Sequence, residues 1–203
     1  MGGLQMRIVL CALGAMVAAA TSYAAITERV SVDSAGVEAN GDSTSVRLTA
    51  DGRYAVFLST ASNLVAGDTN DVCDNDGDSV FTDNCADVFV RDRVMHTTER
   101  VSVDSGGNQA TDASDNIGVT PDGRYVIFES KASNLVPGDV NGNTDCFVRD
   151  RTTGMTERVN LKPGGIQATS GRSCRISADG RFIAFLSGDS SIDPPPGGDS
   201  STD

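Results

Sequence analysis

The stretch TERVSVDSGGNQATDASDNIGVTPDGRYVIFESKASNLVPGD (98–139) decides the fold, because the chain repeats it. It stands upstream as TERVSVDSAGVEANGDSTSVRLTADGRYAVFLSTASNLVAGD (27–68) and returns downstream as TERVNLKPGGIQATSGRSCRISADGRFIAFLS (156–187). The offset is 71 residues between the first two copies and 58 between the second and third, falling to 57 after one deletion. The difference of thirteen is an insertion: eighteen residues separate Asp68 from Asp87, and five separate their counterparts Asp139 and Asp145.

Within one unit, short strands are broken by turn chemistry. Residues 117–120 lead into Asp122-Gly123, a tight-turn pair because glycine takes positive φ without steric cost. Tyr-Val-Ile-Phe at 125–128 follows, rich in β-branched and aromatic residues. After an acidic loop come 145–149, the turn at 152–154, and 156–160, which makes four antiparallel strands per unit. Such a sheet leaves two edges and buries little, so the units must stack face to face around an axis. The expected fold class is all-β, a β-propeller. Residues 45–104 make one blade, 115–161 a second and 173–187 half of a third, with 26–33 as an orphan outer strand, about two and a half blades in all. Propellers close with about four to eight, so the chain reads as an incomplete propeller: a fragment of a longer one, or one of several copies that complete each other through open blade edges.

TPDGRYVIF (120–128), SADGRFIAF (177–185) and DCFVRDRTTGMTERV (145–159) resemble the blade repeat of TolB-type, WD40-like propellers. The resemblance implies that the Asp-Gly turn joins the first two strands of a blade and that DVFVRDR makes the third. It says little about activity, because such repeats serve many functions.

The first twenty-four residues hold one basic residue, Arg7, an apolar run over 8–20, and a small-residue exit. They read as a signal peptide cut before Ala25 (1–24), followed by the repeats (25–189) and a Pro/Gly/Ser/Asp-rich tail (190–203). The apolar run is shorter than the roughly 20 residues of a spanning helix. The expectation is therefore a secreted or periplasmic protein with no membrane span after cleavage. The net charge is −12, and −13 without Arg7, which disfavours a nucleic-acid partner. Four cysteines remain after cleavage, and an even count in an exported chain suggests disulfides. Cys73 and Cys85 are the natural pair, leaving Cys146 with Cys174.

The inserted loop GDTNDVCDNDGDSVFTDNCADVFV (67–90) carries seven aspartates and no lysine or arginine. Its short counterpart places Asp139, Asn141, Asn143 and Asp145 at alternate positions, and the long form shares the ends Asp68, Asn70 and Asp87 while adding Asp74, Asp76 and Asp78. Hard cations such as calcium take six to eight oxygens, so these ten residues are the candidate calcium ligands. DNDGDSVFTDNC (74–85) is similar to the calcium-binding thrombospondin type-3 repeat, in which aspartates line the metal and a cysteine locks the loop. The competing reading is a solvated acidic loop, since Asp, Asn and Gly favour turns.

No catalytic constellation is visible. The sole histidine, His96, aligns with Gly154 at a hairpin tip. Asp51, Asp122 and Asp179 recur at every Asp-Gly turn, which marks them as structural, and Glu28, Glu99 and Glu157 recur beside Arg29, Arg100 and Arg158, as if pairing between neighbouring strands. The functional expectation is a non-catalytic binding or scaffolding propeller stabilised by calcium, with a protein or glycan partner the sequence does not name. The alternatives are a fragment without independent activity, or part of a propeller hydrolase or lyase.

Overall fold

The computed structural model describes residues 7–10, 26–69 and 85–189. Arg7–Leu10 (β1) pairs in parallel with Ile26–Arg29 (β2). Two four-stranded antiparallel sheets follow. The first consists of Ser43–Leu48 (β3), Tyr54–Ser59 (β4), Asp87–Asp92 (β5) and Thr97–Arg100 (β6). The second consists of Ser114–Val119 (β7), Tyr125–Ser130 (β8), Asp145–Asp150 (β9) and Met155–Arg158 (β10). The short hairpin Leu161–Lys162 (β11) with Ile166–Gln167 (β12) leads to Arg172–Ile176 (β13) and Ile183–Leu186 (β14), which pair with each other. The architecture is therefore all-β: two complete propeller blades, half of a third, and the β1–β2 pair ahead of them, an open propeller.

Both faces of the middle strands are buried, as stacking requires. Along β4, Val56 and Leu58 join Val88, Val90, Ile117, Val126 and Phe128 between the two blades. Ala55 and Phe57, on the opposite face, pack with Val30, Leu64 and Phe89. A smaller cluster of Ile127, Cys146 and Cys174, flanked by Ile183 and Phe185, joins the second blade to the half blade. In each complete blade a phenylalanine of the second strand stacks on one of the third: Phe57 on Phe89 and Phe128 on Phe147, both at 5.8 Å between ring centroids, a contact worth about 0.5–1.5 kcal/mol beyond its buried area.

The Asp-Gly turns are built as the repeat implies. Asp51 accepts hydrogen bonds from the Thr49 hydroxyl and the Arg53 amide, and Asp122 and Asp179 repeat the arrangement. Gly123, at φ 71°, lies so close to the Tyr54 ring of the preceding blade that a Cβ would stand 2.2 Å from it. The turn residue is thus also an interblade contact. The innermost strands differ from the sequence reading. β7 begins at Ser114, three residues before its apolar start, because a bulge between Asp115 and Gly118 carries Asn116 at φ 45°. Ser45 and Ser173 occupy the same position in β3 and β13 at φ 53° and 55°.

Candidate functional site

The acidic residues at the ends of the loops converge on arginines. Asp68 and Asp87 lie 3.0 and 3.2 Å from the Arg100 guanidinium. The Ser102 hydroxyl donates to Asp87 at 2.6 Å, and the Gln109 amide donates to Asp68 at 2.8 Å and Asp87 at 3.3 Å. The second unit repeats this: Arg158 stands 3.3 and 3.6 Å from Asp139 and Asp145, and Gln167 donates to them at 2.7 and 3.0 Å. Asn141 donates to Asp145 and to the carbonyls of Ala168 and Thr169, while the amide of Asn143 donates to the Asn141 side chain. Each cluster ties a blade loop to the outer strand and to the hairpin that enters the next blade. Burial lifts Asp87 to about 6 against the pull of Ser102 and Arg100. Burial, then the Asp145 charge, raises Asp139. Asn70, Asp74, Asp76 and Asp78 lie outside the described residues.

Arg100 and Arg158 therefore do not pair with the glutamates beside them. In the first two copies the glutamate of this motif points the other way and crosses to the next blade: Glu28 to Arg93 at 2.7 Å and Glu99 to Arg151 at 2.6 Å. The preceding arginines of the same motif, Arg91 and Arg149, turn inward. Arg91 donates to the carbonyls of Asp33 and His96 and to the Thr98 hydroxyl, and Arg149 to Asp104, Gly154 and Thr156 in the same way. The motif Asp-x-Phe-Val-Arg-Asp-Arg thus spends each of its charged residues on a separate structural contact.

A disulfide joins Cys146 of β9 to Cys174 of β13, as the cysteine count suggested, with the Glu129 carboxylate beside it. This bond occupies both sulfurs of the one His/Cys/Asp/Glu group compact enough for a metal among the described residues. Cys85 is also disulfide-bonded, while its expected partner, Cys73, lies outside the described residues. A cleft of about 500 Å³ opens where the inner strands of both blades and the half blade begin, lined by Leu58, Ser114, Asp115, Glu129, Lys131 and Arg172. Ser114 Oγ is buried there without a hydrogen-bond partner among the described residues.

These features define a class: an open β-propeller arrangement whose charged motif residues serve the joints between blades. No family model and no curated protein matches the chain. Among solved structures it is similar to the β-propeller domain of the Trilobed protease from Pyrococcus furiosus, at 10% identity over 72% of this chain and 34% of that one, with a TM-score of 0.40. It is also similar to the hydrazine synthase of Kuenenia stuttgartiensis, at 13% identity over 69% of this chain and 35% of that one, with a TM-score of 0.38. The chain spans about a third of the length of each. The fold assignment stands on the chain's own strand order and register.

Proposed function

We propose that the chain is a non-catalytic blade module of an exported, TolB-like propeller, acting by binding or scaffolding as part of a longer or composite propeller. The observation that carries this reading is the half blade: β14 has a strand on one edge only among the described residues, whereas its equivalents β4 and β8 have strands on both. The structural use of the recurrent Asp, Glu and Arg residues favours binding over chemistry. The solution mass of the exported protein (25–203), combined with backbone hydrogen exchange, tests the reading. The expected result is an open monomer in which β14 exchanges much faster than β8; a compact closed oligomer would replace it by self-completion.

Calcium belongs to the same reading. Its support is the run Asp74, Asp76 and Asp78 between Cys73 and Cys85, with no cation nearby in sequence. The outer acids Asp68, Asp87, Asp139 and Asp145 already face guanidinium groups, so they are weaker candidates than the loop centre. Extracellular modules bind calcium with Kd values on the order of 10⁻⁴–10⁻³ M. Millimolar calcium should raise the melting temperature or protect the loop from protease; no change in either removes the site.

A further inference from the structure

Three groups around the half blade lack, among the described residues, the third-strand partner that their counterparts have in both complete blades. Arg53 and Arg124 each clamp an aspartate of their blade's third strand, Asp92 and Asp150, at 2.7 Å. Arg181, their counterpart, has no ion-pair partner among the described residues, and its guanidinium lies over the Phe182 ring. Phe57 and Phe128 are fully buried against Phe89 and Phe147, while Phe185 is only half-buried. Glu28 and Glu99 hold Arg93 and Arg151, while Glu157 is exposed and has no ion pair among the described residues.

The surroundings repeat the same deficit. Leu58 of β4 is 5% exposed, whereas Leu186, at the matching place in β14, is 67% exposed. Arg151 also stacks over Tyr54 of the preceding blade at 4.4 Å and donates to the Gly123 carbonyl at 2.5 Å. The corresponding ring and carbonyl, Tyr125 and Gly180, are already juxtaposed, with the Gly180 Cβ position 2.9 Å from the ring.

We propose that the edge of β14 left unpaired among the described residues is a docking site for an antiparallel strand of the pattern Asp-x-Phe-Val-Arg-Asp-Arg, supplied by a partner polypeptide and read by Phe185, Arg181 and Glu157. The proposal rests on the open-module reading above and adds to it the chemistry of the partner. The register follows from the complete blades, where Phe57 faces Phe89 and Tyr54 faces Asp92, and Phe128 faces Phe147 and Tyr125 faces Asp150. On β14 this places the partner's phenylalanine opposite Phe185 and its second aspartate opposite Phe182, within reach of Arg181. Its last arginine then falls between Glu157 and the Tyr125 ring. Main-chain pairing supplies affinity and the three side-chain contacts supply selectivity. A strand without that aspartate would leave Arg181 unpaired, and one without the phenylalanine would leave Phe185 wet.

The probe is a peptide of residues 86–100 of this chain, ADVFVRDRVMHTTER, which carries both a third and a fourth blade strand. It is titrated by fluorescence anisotropy into the exported protein (25–203), with hydrogen exchange read at β14. Saturable one-to-one binding that slows β14 exchange is the expected result. Phe89→Ala in the peptide should weaken binding at least about tenfold. Arg93→Glu in the peptide should weaken it roughly three- to tenfold, and Glu157→Arg in the protein should restore that peptide while weakening the parent one. Absence of binding to folded protein, equal binding of the Phe89→Ala peptide, or failure of the charge exchange to restore affinity overturns the proposal. So does a dimer whose β14 is protected without peptide, which would assign the edge to a second copy. Fast β14 exchange without peptide binding overturns only the strand pattern and leaves the open module standing; slow β14 exchange in the free monomer overturns both.

Discussion

His96 holds a left-handed conformation, φ 54°, at the hairpin tip where the second blade has Gly154 at φ 73°. A Cβ in that region costs about 1 kcal/mol or more, partly offset by the greater freedom glycine has when unfolded. His96→Gly should therefore stabilise the first blade by about 0.5–1 kcal/mol, read as a higher urea midpoint with an unchanged slope. The aspartates give two opposite pH responses. Burial raises Asp87 to about 6, so from its unfolded value near 4 up to about 6 the folded state holds more protons than the unfolded, and this contribution falls as pH rises. Burial also works against Asp92, but hydrogen bonds from Arg53 and from the amides of Met95 and Val94 hold it down at about 2. Its contribution is therefore full above pH 4 and lost between about 4 and 2. Urea titrations across pH should show the stability gap between parent and Asp87→Asn narrowing from pH 4 to 6, by at most about 1.4 kcal/mol per unit, and the gap to Asp92→Asn narrowing below pH 4. The recurrence of Asp68 with Asp139 and of Asp87 with Asp145 was legible in the sequence. Their arginine partners were not, because Arg100 and Arg158 sit on an outer strand beside glutamates of opposite charge, and only the alternation of side chains across that strand separates the two.

Among the elements, the half blade depends most on a covalent tie. β13 and β14 contribute Cys174, Ile176, Ile183 and Phe185 to the smallest of the three apolar clusters, and the Cys146–Cys174 bond closes a loop with a sequence separation of 28. Chain-entropy arguments value such a closure at roughly 3–4 kcal/mol. Cys174→Ser should leave the two complete blades folded and detach the half blade, seen as loss of exchange protection in β13 and β14 alone. If β4 and β8 lose protection equally, the blades are not separable units. The second, third and fourth strands of each blade were legible from their repetition, the β-branched and aromatic run after the Asp-Gly turn, and the turns between them. The first strand was read short, since Ser114, Asp115 and Asn116 carry no apolar signal and the bulge at Asn116 breaks the period of two. The parallel pairing of β1 with β2 had no sequence signal either, since each is only four residues long.

At the scale of the molecule, repetition made the blade count readable and hid what holds the blades in order. The joints are Glu–Arg pairs, an arginine on backbone carbonyls, and a glycine turn seated on the neighbour's tyrosine, and each joins residues 45 to 69 positions apart. Stability in such an array approximates a sum of unit terms and nearest-neighbour terms, so it should be graded along the chain. The interface between the two complete blades has the largest apolar cluster, with Val56, Val90, Ile117, Val126, Phe128 and Phe147 all buried. The side facing β2 has a smaller one, and the half blade the smallest. Denaturant should therefore not unfold the chain in one step. Native-state hydrogen exchange in increasing urea should release β13 and β14 first, then β2 and the loop at 30–40, and last β4, β5, β8 and β9 together. Phe147→Ala, which empties the shared interface and unstacks Phe128, should cost about 3–5 kcal/mol and lower the opening energy of β4 as well as β8. An effect confined to the second blade would show that the blades fold independently and that the joints orient them without stabilising them.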